Sequence, residues 1–163
     1  MDLSGIGFVE TYTPQHIMFI RLAIAAILGG AIGFERESHA AAGLRTHILV
    51  ATAACLFTLL AFEIFHLSEV MSSSRADPIR SIEAVTAGIA FLGAGAIFRA
   101  RGSVQGLTTG AGMWLAGAVG VTVAMGYYFV ALVVSVLAVI VLAALRAFTH
   151  EGGGHGTEKP KKS

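Results

Sequence analysis

The chain has 163 residues, 55% of them hydrophobic and 13% charged, with a mean hydropathy of +0.76 and a formal net charge of +1. A water-soluble domain of this length has too little interior to hide so much apolar surface, so the composition points to an integral membrane protein of one domain. The near-neutral charge, with no basic stripe interleaved with aromatics, argues against a nucleic-acid partner.

The N-terminal segment, 1–15, contains acidic residues but no Lys or Arg, and so lacks the basic start of a cleaved signal peptide. The first apolar run covers 17–34, with Arg21 about one turn inside and Ala25, Gly29 and Gly33 repeating every four residues. The string GFERESHAAAGLRTH follows. Glu35, Arg36 and Glu37 come just after the last apolar turn, Gly43 permits a reversal, and Thr46 is the expected N-cap of the second helix. Arg45 would stand at that helix's N-terminus, where it could capture an anion with the help of backbone amides.

The second run, 46–65, holds the single cysteine, Cys55, read as a small buried apolar residue, and Glu63 near its end. Asp77 and Arg80 precede the third run, 79–98, and Glu83 lies about one turn inside it. In a helix Glu83, Ala87, Ala90 and Ala94 share one stripe, with Ala84, Gly88 and Gly95 beside it. That side is expected to pack closely, and the side bearing Ile82, Val85, Ile89 and Leu92 to face lipid. A short basic loop, RARGSVQ, carries Arg99 and Arg101.

Entering the fourth run, 107–125, Gly102, Gly106 and Gly110 form one small-residue stripe, and Gly112, Ala116 and Gly120 form another. Gly126 predicts a tight turn into the fifth run, 127–148, which lacks glycine, is rich in β-branched residues and reads as peripheral and lipid-facing. The glycine-rich polar tail, 149–163, is expected to be disordered. Each run is long enough to cross a hydrocarbon core of about 30 Å, and continuity without alternation favours helices over a barrel. The expected fold is thus an all-α bundle of about five transmembrane helices spanning 16–148. Gly29, Gly33, Gly88, Gly93, Gly95, Gly106 and Gly110 are its candidate packing points, either within the bundle or between copies in a homo-oligomer.

Lys and Arg are uneven across the membrane. One side receives Arg36, Arg45, Arg99, Arg101, Arg146, Lys159, Lys161 and Lys162; the other receives Arg75 and Arg80, with Arg21 nearby. The positive-inside rule then places the N-terminal segment in the periplasm and the tail in the cytoplasm.

Two polar sets result. On the outer side Arg21, Glu63, Asp77, Arg80 and Glu83 form either an ion-pair network, with Arg21 neutralising Glu63 or Glu83, or a divalent-cation site built from Glu63, Asp77 and Glu83. On the inner side Glu35, Arg36, Glu37, Arg45, Thr46, Thr108 and Thr109 form either a locked loop network or a surface for a partner or lipid headgroup. No phosphate-binding loop, zinc-protease pair or nucleophile elbow is present, so no enzyme activity is expected. His39 and His47, eight residues apart, lack metal-ligand spacing.

The strings GFERE, AGLRTH, DPIR, GIAFLGAG, and GLTT followed shortly by Trp114, resemble the MgtC/SapB family of bacterial inner-membrane proteins, over roughly 21–145. The resemblance marks Glu35, Arg36, Glu37, Gly43, Leu44, Arg45, Thr46, Asp77, Arg80, Gly88, Phe91, Leu92, Gly93, Gly95, Gly106, Leu107, Thr109 and Trp114. It implies a multi-pass inner-membrane protein linked to magnesium-limited growth and virulence, with no cofactor beyond a magnesium ion. By resemblance, it would act as a non-catalytic regulator of a membrane partner such as ATP synthase, or else as a small magnesium transporter or channel. The best-known members add a soluble C-terminal domain, so the resemblance extends to the membrane domain alone. Many also have glycine at Ala90 and a neutral polar residue at Glu83.

Overall fold

A computed structural model describes residues 11–35, 42–71, 77–100 and 103–151. The element order is α1 (Gln15–Phe34), α2 (Leu44–Met71), α3 (Pro78–Ala96), β1 (Phe98–Ala100), β2 (Ser103–Gln105), α4 (Leu107–Ala124) and α5 (Tyr128–Glu151). Helices α1 to α4 are each long and apolar enough to cross a membrane, and α5 offers an apolar stretch over Tyr128–Ala144. Large apolar side chains such as Phe19, Ile27, Leu49, Phe57 and Leu137 project outward from the bundle. An outer surface of this kind suits lipid, and the chain is a membrane protein.

Helix α4 is the hub, packed against α1, α2, α3 and α5. It can take that place because its residues are small: Gly110, Gly112, Ala116, Gly117 and Gly120 are all buried. Helices α1, α2 and α4 pack on one another; α3 rests on α2 and α4, and α5 on α1 and α4. One apolar cluster joins Ala25 and Ile32 of α1 to Cys55, Leu59, Val119, Val123 and Ala131. A second joins Val50, Ala51 and Ala54 of α2 to Ile89 of α3 and to Met113 and Ala116.

Several expectations hold. Ala25, Gly29 and Gly33 are buried, as are Gly112, Ala116 and Gly120. Gly126 makes the turn after α4, at φ 85. Its amide donates to Val123 O at 2.9 Å, and the next amide, of Tyr127, donates to Thr122 O at 3.1 Å. Together these close the helix with the paired bonds of a Schellman motif, for which glycine is favoured. Helix α5 lies at the edge: Ala131, Ser135 and Ala138 are buried along one stripe while Leu132, Val133, Val136 and Leu137 are exposed.

Other expectations need correction. The basic loop is a β-hairpin, with Phe98 opposite Gln105, Arg99 opposite Val104 and Ala100 opposite Ser103, so the fold is not wholly helical. Helix α2 starts at Leu44, which puts Thr46 inside its first turn and not at the cap, and it runs on to Met71, well beyond 65. Helix α5 continues to Glu151, into the tail that was expected to begin its disorder at 149.

The largest reversal is in α3. Ile89 and Gly93 are buried and Ile82 and Val85 half-buried, whereas Glu83, Ala84, Ala87, Gly88, Ala90, Ala94 and Gly95 are exposed; of the four residues expected to face lipid only Leu92 is exposed. The branched side chains of α3 fill the hollow left by α4: a Cβ added to Gly117 would strike Ile89 Cδ1. The small-residue side therefore points away from the bundle, and α3 joins α5 at its edge.

Candidate functional site

The two polar sets lie at opposite ends of the bundle. At the hairpin end, α1 closes on Glu35, which keeps helical φ and ψ and donates its amide to Gly33 O. Arg36 and Glu37 lie outside the described residues, as do His39 and Arg101. Arg45 is exposed and Thr46 half-buried on the first turn of α2; Thr108 is exposed and Thr109 buried at the start of α4.

Between these segments lies His47, fully buried. Its Nδ1 sits 2.8 Å from Gly43 O, and because a carbonyl can only accept, that nitrogen carries the proton. The other face of the ring meets α4, where a Cβ on Gly112 would be 3.0 Å from Nε2. Helix α1 reaches the same residue: a Cβ on Gly33 would be 2.8 Å from His47 Cβ, and one on Gly29 2.7 Å from His47 O. Glycines on two helices thus make the space that His47 of a third one fills.

The hairpin is anchored to this end by Gly106, at φ 85 ahead of α4. A Cβ there would strike Ala96 O, so the position demands glycine on two counts. Directly above, α3 and α4 touch through Gly93 and Gly110: a Cβ on Gly110 would lie 3.2 Å from Gly93 O.

At the opposite end the structure replaces the expected ion-pair network with backbone ties. Arg21 reaches neither Glu63 nor Glu83. Its Nη1 donates to Ala124 O at 2.7 Å and its Nε to the Tyr128 hydroxyl at 3.1 Å. Ala124 ends α4, so the guanidinium takes an unpaired carbonyl at the negative pole of that helix. Glu63 accepts two adjacent amides, Tyr12 N at 2.8 Å and Thr13 N at 2.7 Å. Its carboxylate clips the segment before α1 onto α2, and Tyr12 stacks on His66 with ring centroids 3.4 Å apart.

Asp77 caps α3, its Oδ1 accepting Ile79 N at 3.0 Å, with Pro78 in the first turn. Arg80 lies 3.9 Å from Asp77 in an exposed pair of little energetic weight. Glu83 is exposed and belongs to no ion pair among the described residues. Glu63, Asp77 and Glu83 do not converge, and no three His, Cys, Asp or Glu side chains gather as metal ligands among the described residues.

The proposed packing glycines divide in two. Gly29, Gly33, Gly93, Gly106 and Gly110 all meet a neighbour, whereas a Cβ on Gly88 or Gly95 would meet nothing within 4 Å. Neither Gly88 nor Gly95 packs within the bundle. Sequence reasoning missed His47 as a junction, and Tyr128 as the partner of Arg21. The glycine periodicity of α1 and α4 could have pointed to His47, since both stripes need something to close on; nothing in the spacing linked 21 to 128.

The model of the MgtC family matches residues 22–151. The chain belongs to the MgtC family. Its relatives include Protein MgtC of Brucella abortus, 41% identical over 126 residues, covering 77% of this chain and 50% of that one. The “Putative magnesium transporter YhiD” of Escherichia coli K12 is 36% identical over 133 residues, covering 80% and 61%. An uncharacterized protein of Haemophilus influenzae is 31% identical over 144 residues, covering 86% and 60%. This MgtC-family chain thus spans between half and three-fifths of the length of these relatives. No solved structure matches it.

Proposed function

We propose that this MgtC-family protein is a non-catalytic regulator of the bacterial inner membrane that serves magnesium-limited growth and virulence. It would act through its hairpin end on a membrane partner such as ATP synthase, with all five helices spanning the bilayer. The excess of Lys and Arg at that end supports a cytoplasmic hairpin and a periplasmic N-terminus.

One observation carries the reading. Helices α1, α2 and α4 meet nearly backbone to backbone around His47, a Cβ on Gly29 lying 2.5 Å from Ala51 Cβ, and such close packing supports a structural junction there. Arg45 stands exposed one residue into α2, just beyond that junction. An exposed cation at the end of a closely packed junction supports recognition by a partner.

The test is affinity purification from membranes of magnesium-starved cells, comparing the native chain with Arg45→Ala at matched abundance. ATP synthase subunits should be recovered with the native chain and lost with the variant. Equal recovery with both would remove Arg45 from the contact, and recovery with neither would end the ATP synthase reading. The second reading, a small magnesium transporter or channel, is favoured by the name of the E. coli relative. Magnesium uptake by liposomes containing the purified protein alone would establish it.

A further inference from the structure

The outward side of α3 is made for close contact, and a Cβ at Gly88 or Gly95 meets no neighbour among the described residues. Ala84, Ala87, Gly88, Ala90, Ala94 and Gly95 are exposed along it, and Phe91 stands 80% exposed among them. Beside this face, α2 and α3 part to leave a groove of about 570 Å³ whose lining includes Phe57, Ala84 and Gly88. Small residues facing lipid forgo the dispersion contacts that another helix would supply.

Small residues alone do not name an occupant; charge does. With 19 residues, α3 is roughly 28 Å long at about 1.5 Å per residue, barely the thickness of a hydrocarbon core. It has no spare turn, so Glu83, five residues after Pro78, falls within the core, where a carboxylate needs a partner. No cation of this chain pairs with it among the described residues. Arg80 lies on the same outward side one turn earlier, its side chain 85% exposed and only loosely held by Asp77 at 3.9 Å.

Copies of one chain enter a membrane in the same direction. A two-fold axis along the membrane normal would therefore set two α3 helices parallel and at equal depth. Arg80 of each copy then comes within a turn of the other's Glu83, twice over by symmetry. Phe91 of each would face the hollows left by Ala87 and Gly88, and by Ala94 and Gly95.

We propose that the outward face of α3 is a homodimer interface, closed by reciprocal Arg80–Glu83 pairs between a small-residue seam. This proposal does not depend on the regulatory reading of the hairpin end.

Cysteine cross-linking in native membranes tests it, in a Cys55→Ala background. Oxidation should give a dimer band with Ala87→Cys and with Ala94→Cys, but not with Leu137→Cys on α5. Adding Glu83→Arg should abolish the band, and Arg80→Glu with Glu83→Arg should restore it; an unchanged thermal midpoint in detergent shows that Glu83→Arg still folds. A band undiminished by Glu83→Arg overturns the charge pairing. No band at either α3 position, with a monomer by light scattering, overturns the dimer and leaves the face to lipid. A band only to a protein of different mass assigns the face to another partner and overturns it equally.

Discussion

At the scale of single residues, His47 and the glycines around it decide whether three helices can meet. His47 is fully buried, its ring held to Gly43 O and packed against Gly112 while Gly29 and Gly33 close on its backbone and Cβ. Removing the ring in His47→Ala leaves a void and takes one of the two donors from Gly43 O, which keeps the residue 47 amide at 3.2 Å, a loss of about 2–4 kcal/mol by analogy with buried large-to-small changes. A lowered thermal unfolding midpoint in detergent is the readout, and a midpoint equal to the native one would contradict it. The glycines make a sharper contrast. A Cβ on Gly120 would strike Ala51 O, whereas Gly95 has open space. Gly120→Leu should prevent assembly of the bundle, while Gly95→Leu should leave the monomer's unfolding midpoint within experimental error. If both variants behaved alike, the helix contacts assigned to α4 would be wrong.

Among the elements, the ends of helices are held by side chains that reach across to a different one. Arg21 of α1 restrains the turn between α4 and α5, and Glu63 of α2 restrains the segment before α1. Glu63→Gln keeps the shape but has only one acceptor oxygen for two amides, and loses the charge that strengthens both bonds. Limited proteolysis near Tyr12 should become faster in that variant while the α4–α5 turn stays protected. Arg21→Met should do the reverse, exposing the turn at Gly126 and sparing Tyr12.

These ties also mark where the sequence stopped being legible. Apolar length located every helix, and four-residue glycine spacing located the α1 and α4 faces, because both signals are local and periodic. Arg21 and Glu63 were recognisable as costly charges at membrane depth, but apart from the Tyr128 hydroxyl their partners are a backbone carbonyl and two amides. Every residue supplies such groups, so no residue type announces them. The face of α3 was misread for a related reason. Small stripes fit either a helix of the same bundle or one of another chain, and in α3 the branched side chains were the ones needed to fill the glycine hollows of α4.

For the whole molecule, neighbouring helices differ in length. Helix α2 has 28 residues and its neighbour α3 has 19. At about 1.5 Å per residue they measure roughly 42 Å and 28 Å, so no single bilayer thickness suits both while they stand upright. Glu63 lies 19 residues after Leu44, roughly 29 Å along α2, close to the thickness of one hydrocarbon core. If the hairpin-end termini of α2 and α3 lie level, the clip on Tyr12 and Thr13 falls near the level at which α3 begins, and the last turns of α2 extend beyond it. This difference in length predicts that the protein's stability depends on membrane thickness. Reconstituted into lipids of graded acyl length, it should be most stable where the core matches α3, since only α2 can absorb the excess by rising clear of the bilayer. In thicker membranes α3 must sink its charged start or draw the lipid inward. Its unfolding midpoint should then fall steadily with each added pair of methylenes; a midpoint indifferent to chain length would show that α3 does not set the depth.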